Sequence, residues 1–224
     1  MKYIMAGIIS LFLMWTQSSA SLSPAIPMGV ENPQNIVLSQ ENYSLQNRYT
    51  NTFVNDVFAD NILLTLAYMN GTVKEGSNVS WNTVRSSFTY KLVLKPGEVF
   101  AFHDRVAPEY KDKVVVTTNS RFNSTQGFRT DGWLVGDGVC HLASFMNVVA
   151  KEANLLVSAP TRHDFAKIAD VTRENGVSIK YNPNAVANSA RQNLYITNNR
   201  EKPIAFVFKH ENNALEIEVV EMIS

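Results

Sequence analysis

From Tyr43 to Met69 the apolar positions follow a helical spacing: Leu45, Tyr49 and Phe53 stand four apart, and Leu63, Leu66 and Ala67 form a second stripe. The spacing predicts a helical N-terminal part over residues 43–70, stopped at Asn70-Gly71, where glycine readily ends a helix. Residues 74–87 are polar and read as a loop or an exposed strand. Beyond them the period shortens. Leu92 to Leu94 and Glu98 to Phe102 flank a Lys95-Pro96-Gly97 turn, and Val114 to Thr118 is β-branched throughout. Near the end, Leu194 to Thr197, Ile204 to Lys209 and Leu215 to Val220 are strand-like, the last two joined by a hairpin at Glu211-Asn212-Asn213. One amphipathic helix interrupts the strands from about Cys140 to Asn154, with Leu142, Phe145, Met146 and Val149 on one face. The pattern predicts an α+β fold: a mostly antiparallel sheet, an N-terminal helical region, and one helix starting at the cysteine.

The first twenty residues have the form of a secretory leader. Lys2 precedes an apolar run from Ile4 to Trp15, and Ser18 and Ala20 place small residues for cleavage after Ala20. An uncleaved anchor is the alternative, but the run is short of the roughly 20 residues a spanning helix needs. Residues 21–42, rich in Ser, Pro, Asn and Gln, read as an extended lead-in to a single domain over 43–224. The expected location is outside the cytoplasm, secreted or in the periplasm and cell envelope, with no integral span after cleavage. Formal charge is +0 at neutral pH, so no basic field exists for a polyanion to follow and nucleic acid is excluded as a partner.

Export changes the meaning of the single cysteine. One Cys allows no internal disulfide, and a lone thiol in an oxidising compartment is either a reactive group or a small buried apolar one. Its neighbours favour reactivity. Gly136-Asp137-Gly138-Val139 allows a sharp turn directly before a helix. Cys140 then sits at the helix start, where roughly half a positive charge from unpaired N–H groups favours thiolate. The N–H groups around Gly136, Gly138 and Val139 are candidate oxyanion donors. A proton acceptor is needed. His163 is the preferred base, His141 is adjacent in sequence but angled away along the helix, and His103 follows a strand and could reach a pocket. His210, at a hairpin tip, is expected to be solvated. Asp137 or Asp164 would orient the imidazole; Ser144 shares the cysteine's helix face, as does Asn147; Arg162 or Arg129 would hold a substrate carboxylate. One Cys and four scattered His give no close ligand pair, so no metal and no cofactor are expected. Four Asn-x-Ser/Thr triplets, at Asn42, Asn70, Asn78 and Asn123, matter only in a eukaryotic secretory pathway.

These residues resemble the VanW-like domains. Leu94 to Phe102 is similar to their LKPGExFSF signature, and Gly136 to Cys140 to their GGGVCQ box. His163 resembles the family's H-S-x-P histidine, Leu194 to Asn199 with Lys202-Pro203-Ile204 its DLxFxNNTxxPI ending, and Met69 to Val73 its LNGTV. The likeness spans about residues 45–210. Asp137 replaces the middle glycine of the box, His141 its glutamine, and Gly176-Val177-Ser178-Ile179 lacks the DATV aspartate. A segment over about 74–91 stands as an insertion. The resemblance implies a bacterial envelope protein and, in some members, an L,D-transpeptidase whose box cysteine attacks the third residue of a peptidoglycan stem peptide. Terminal D-alanine leaves, and an amine of a neighbouring stem resolves the thioester. A cysteine peptidase would differ only in using water. A non-catalytic protein binding wall peptides or a protein partner is the alternative of another class. Oligomeric state is not readable from the chain.

Overall fold

The computed structural model describes residues 35–223; the leader and its cleavage position lie outside the described residues. The chain opens with strand β1 (Ile36–Ser44) and helix α1 (Thr52–Met69), followed by the single-turn helix α2 (Trp81–Val84) and strands β2 (Phe88–Leu94), β3 (Val99–Ala101) and β4 (Val115–Thr117). Helix α3 (Val139–Glu152), strand β5 (Leu156–Ser158), helix α4 (Val186–Arg191), and strands β6 (Tyr195–Thr197), β7 (Ile204–Glu211) and β8 (Ala214–Glu221) complete it. Two four-stranded sheets result, ordered β1-β8-β7-β2 and β4-β3-β6-β5. Every pairing is antiparallel except β3 with β4. The fold is α+β with a mostly antiparallel arrangement, as the apolar pattern predicts.

The helical reading of residues 43–51 is corrected. Tyr43 ends an edge strand rather than starting a helix, and its ring stacks on Phe145 at 3.8 Å. The four-residue spacing of Leu45, Tyr49 and Phe53 misled because Leu45 is buried whereas Tyr49 and Phe53 face solvent. The helix starts where Asn51 caps it, its side chain accepting from the Val54 N–H at 3.2 Å. Part of the supposed lead-in, residues 36–42, is likewise paired strand. Helix α1 is buried from Asp60 to Met69 without a break, so it runs through the core rather than lying on it.

The Lys95-Pro96-Gly97 turn does not close a hairpin. β2 pairs with β7 and β3 with β6, so the turn hands the chain from one sheet to the other. Asn198 secures this crossover: its side-chain amide donates to the carbonyls of Leu94 and Lys202, both at 2.9 Å. The β7–β8 hairpin forms where expected. Asn212 and Asn213 both adopt positive φ, 51° and 59°, the geometry that matches strand twist in two-residue loops. Residues 74–87 form a loop and α2. The core joins α1, α3 and the inner face of the larger sheet through Leu64, Leu66, Phe145, Phe206, Phe208 and Ile217, all fully buried. No helix among the described residues is long and apolar enough to cross a membrane.

Candidate functional site

The cysteine box is held from below by α1. Asn61, fully buried, donates through its side-chain amide to the carbonyls of Asp137 (2.8 Å) and Arg129 (3.0 Å), and accepts from the Arg129 N–H (2.8 Å). Gly138 is the cap of α3 at φ 95°, and a Cβ there would lie 2.4 Å from the Phe58 carbonyl oxygen. Glycine is required at this position both for its backbone angle and for the closeness of α1. The apolar face expected of α3 is buried as expected: Leu142, Phe145, Met146 and Val149 are fully enclosed.

Cys140, partly exposed as a residue, sits at the start of α3 on the wall of a cleft of about 470 Å³. Its sulfur is bracketed by one peptide group: Sγ accepts from the Ile179 N–H at 3.3 Å and donates to the Ile179 carbonyl at 3.7 Å. Burial pushes the thiol up to about 11, Asp137 adds to the rise, and the Ile179 N–H opposes it. The expected low-pKa thiolate is therefore not the resting form. Two of the N–H groups counted on for the helix-end field are already engaged, Val139 with the Gly136 carbonyl (3.1 Å) and His141 with Gly138 (3.0 Å). Desolvation of the sulfur outweighs what remains of that field.

His141 and His163 line the same cleft, their ring centroids 6.4 Å apart. His141 is only 4% exposed, packs edge-on to Phe58, and leaves Nδ1 without a hydrogen-bond partner. Burial, reinforced by the charge of Arg48, depresses it to about 3, so the ring is neutral. His163 is also depressed, again chiefly by burial. Its Nδ1 lies 3.0 Å from the Ala166 carbonyl, which assigns the proton to Nδ1 and leaves Nε2 as the acceptor. That carbonyl does the orienting expected of Asp137 or Asp164. Asp164 is exposed beside Arg173 (3.5 Å) and Arg162 (3.9 Å). Asp137 does line the cleft, with Oδ2 buried and unpartnered. Burial first, then repulsion from Asp131, raises its carboxyl to about 6. Among the described residues no imidazole hydrogen-bonds to Sγ, to Asp137 or to Asp164.

Three of the proposed substrate contacts are corrected. Ser144 is fully buried; its Oγ donates to the Cys140 carbonyl (2.7 Å) and accepts from the Val177 N–H (2.8 Å), stitching residues 177–179 to α3. His103 is fully buried behind Tyr181, its Nε2 3.1 Å from the Gln192 carbonyl. Arg162 points to solvent. Asn147 donates to the Asn175 carbonyl, and Arg129 pairs with buried Asp60. His210 is buried rather than solvated, with Nδ1 against the Ser86 carbonyl at 3.2 Å. Arg162 apart, each is engaged by a segment distant in the chain, which local sequence patterns do not reveal.

Sequence reading missed four cleft features. Ile179 supplies the sulfur's partner, yet its contribution is entirely backbone. Arg48, paired with Asp170 and lying over Phe145, borders His141 from a segment read as helix. Lys180 and Lys167 add charge, so that with Arg48 and Arg121 four cations face the single acid Asp137. Phe165, 72% exposed, stands 3.9 Å from the His163 ring. A second cavity of about 710 Å³ is bordered by His163 to Lys167 and by residues 168–176. No cluster of metal-ligating side chains occurs among the described residues.

Residues 74–220 match the family model described as VanW like protein. The chain belongs to this family. The match takes in residues 74–91, which sequence reading had set aside as an insertion, and these contain α2 and the first half of β2. The VanW-like part thus begins after α1, although α1 carries the Asn61 that holds the box. No curated protein and no solved structure matches the chain.

Proposed function

We propose that this VanW-like chain is an exported cell-envelope cysteine acyl-transferase acting on peptidoglycan stem peptides. The observation that carries the reading is convergence: Asp137, Cys140 and His141, from the cysteine box and the start of α3, and His163, from a loop more than twenty residues on, line one open cleft. The cleft's surplus of cations suits a peptide ending in a carboxylate. Because thiol and imidazole are both neutral, proton loss accompanies attack instead of preceding it. Sγ leaves the Ile179 bracket, its proton passes to His163 Nε2, and the Sγ–C bond forms at the carbonyl. The C–N bond to the terminal residue then breaks, and its amine takes the proton from Nε2.

A second reading, a non-catalytic protein binding the same wall peptides, is favoured by one observation. The thiol's only hydrogen-bond partner is the Ile179 peptide group, and burial pushes its pKa up to about 11. Purified protein incubated with a synthetic stem tetrapeptide separates the two. The transferase gives an acyl adduct on Cys140 by intact mass, with one equivalent of terminal amino acid released; Cys140→Ala gives none, and His163→Gln slows adduct formation by about 10²-fold or more. Peptide binding without any adduct, unaffected by Cys140→Ala, overturns the transferase in favour of the binding protein.

A further inference from the structure

Independently of the catalytic reading, we infer that the rim of the Cys140 cleft is a docking surface for a bilayer of anionic phospholipid, with the Trp133-Leu134 tip entering the lipid interface. Four aromatic side chains are exposed among the described residues: Tyr49, Phe53, Trp133 and Phe165. They come from three separate stretches of chain and gather around one opening. Tyr49 and Phe165 line the cleft together with Leu134 and Val135. Trp133 directly precedes Leu134, and the Arg129 guanidinium, at the start of the same turn, stands 6.0 Å over the Phe53 ring. Trp133 is 91% exposed and Leu134 64%. Large apolar side chains held in water are unfavourable, and where several collect at one place the surface is one that meets a partner.

Two further features select lipid as that partner. The turn is closed on itself: Thr130 and Val135 form an antiparallel bridge, and Thr130 Oγ1 accepts from the Gly132 N–H at 2.9 Å. The Asp131 carboxylate accepts from the N–H groups of Trp133 (2.9 Å) and Leu134 (3.5 Å). Backbone donors met inside the turn can leave water without finding a new partner, which is what entry into the apolar edge of a bilayer requires. An indole suits that depth, since its rings replace water with acyl chain while its N–H stays among the headgroups. Charge is the second feature. Lys167 and Lys180 line the same cleft, are exposed, and belong to no ion pair among the described residues. Asp131, the one carboxylate of the turn, is occupied by its two N–H bonds. Lysine is depleted at protein interfaces, whereas each lysine beside an anionic headgroup layer adds attraction.

The test is sedimentation of the purified full chain with vesicles of equal parts phosphatidylglycerol and phosphatidylcholine, against vesicles of phosphatidylcholine alone. Binding is expected to be stronger on the anionic vesicles and to weaken with salt. Trp133→Ser with Leu134→Ser removes the apolar tip and should weaken binding about tenfold or more. Lys167→Gln with Lys180→Gln should weaken it about tenfold on anionic vesicles and leave neutral ones unaffected. All four side chains are exposed, so both variants should keep the urea midpoint of the unaltered chain. Trp133→Phe should still bind, but with less quenching of tryptophan emission by lipids brominated on their acyl chains; Trp15 and Trp81 are common to both chains, so the lost part reports Trp133. No sedimentation with anionic vesicles, equal binding by the unaltered chain and the tip variant, undiminished anionic binding in the lysine variant, or quenching unchanged in Trp133→Phe each overturns the inference. Dimerisation without lipid that the tip variant abolishes also overturns it, and assigns the rim to a second copy of the chain. Failure to form an acyl adduct on Cys140 would remove the transferase reading and leave this surface standing.

Discussion

The larger sheet and the chain around the cleft are built on different physical terms. β1, β8, β7 and β2 are long strands whose backbone groups satisfy one another, and their inner side chains, Phe206, Phe208, Leu215 and Ile217 among them, are fully buried. Residues 118–138 and 159–185 contain no strand or α-helix. Their backbone groups are met by scattered turn and loop bonds, such as His163 N–H to the Gly176 carbonyl, and by single side chains: Asn61 under the cysteine box, Ser144 at Val177, Asn147 at Asn175. The sheet draws its stability from apolar area. The cleft draws its shape from single polar residues and two glycines, so a small change there displaces the site while the sheet stays folded.

The comparison can be broken most forcefully in the sheet. Phe206→Ala should cost about 3–5 kcal/mol, read as a loss of global stability in urea; a loss under 1 kcal/mol would mean the sheet does not carry the core. Next comes Gly138→Ala. Positive φ and the clash with Phe58 together predict about 3 kcal/mol, with Cys140 newly open to alkylation as the box shifts; unchanged labelling would contradict the part given to α1. Asn61→Ala strands two carbonyls and one N–H and should cost about 2 kcal/mol, mostly as faster hydrogen exchange in residues 129–140 and not in β7. Uniform acceleration across both regions would dissolve the distinction.

Two pH experiments sharpen it further. Iodoacetamide labelling of Cys140 should climb with pH towards about 11, with no plateau near neutrality; a neutral plateau would mean a preformed thiolate. The smallest effect belongs to Asp137. Its folded pKa of about 6 stands above the ordinary 3.8, so the folded state holds the extra proton between these values and stability falls as pH rises through that window. Asp137→Asn should flatten the fall in urea midpoint between these two pH values. An equally steep fall in the variant would assign it to another group.

The same contrast explains what was legible. β7, β8 and their hairpin could be read because a short apolar run, the alternation of β8 and the Asn212-Asn213 turn are local signals, and α3 because its apolar face repeats within a few residues. β1 and the start of α1 were misread, since Leu45, Tyr49 and Phe53 satisfy a helical spacing while belonging to a strand end, a bend and a helix start. Short β5 and α4 carry too few residues for a period to register. In the site, Cys140 and the two glycines stood out, being rare or conformationally special. The Ile179 bracket could not be seen, because a backbone N–H and carbonyl have no letter in the sequence.

By itself, the sequence determined the α+β class, the hairpin, the amphipathic α3, the glycine turn in front of Cys140, and the VanW-like motifs. These depend on spacing and on conformational preferences that operate over a few residues. Only the tertiary structure decided that the Lys95-Pro96-Gly97 turn joins two sheets, that Ser144 and His103 are structural, and that burial pushes the thiol's pKa up. It also decided that His163 borders two cavities. Burial and charge are sums over neighbours distant in the chain, and a pKa or a cavity exists only after those neighbours have been brought together.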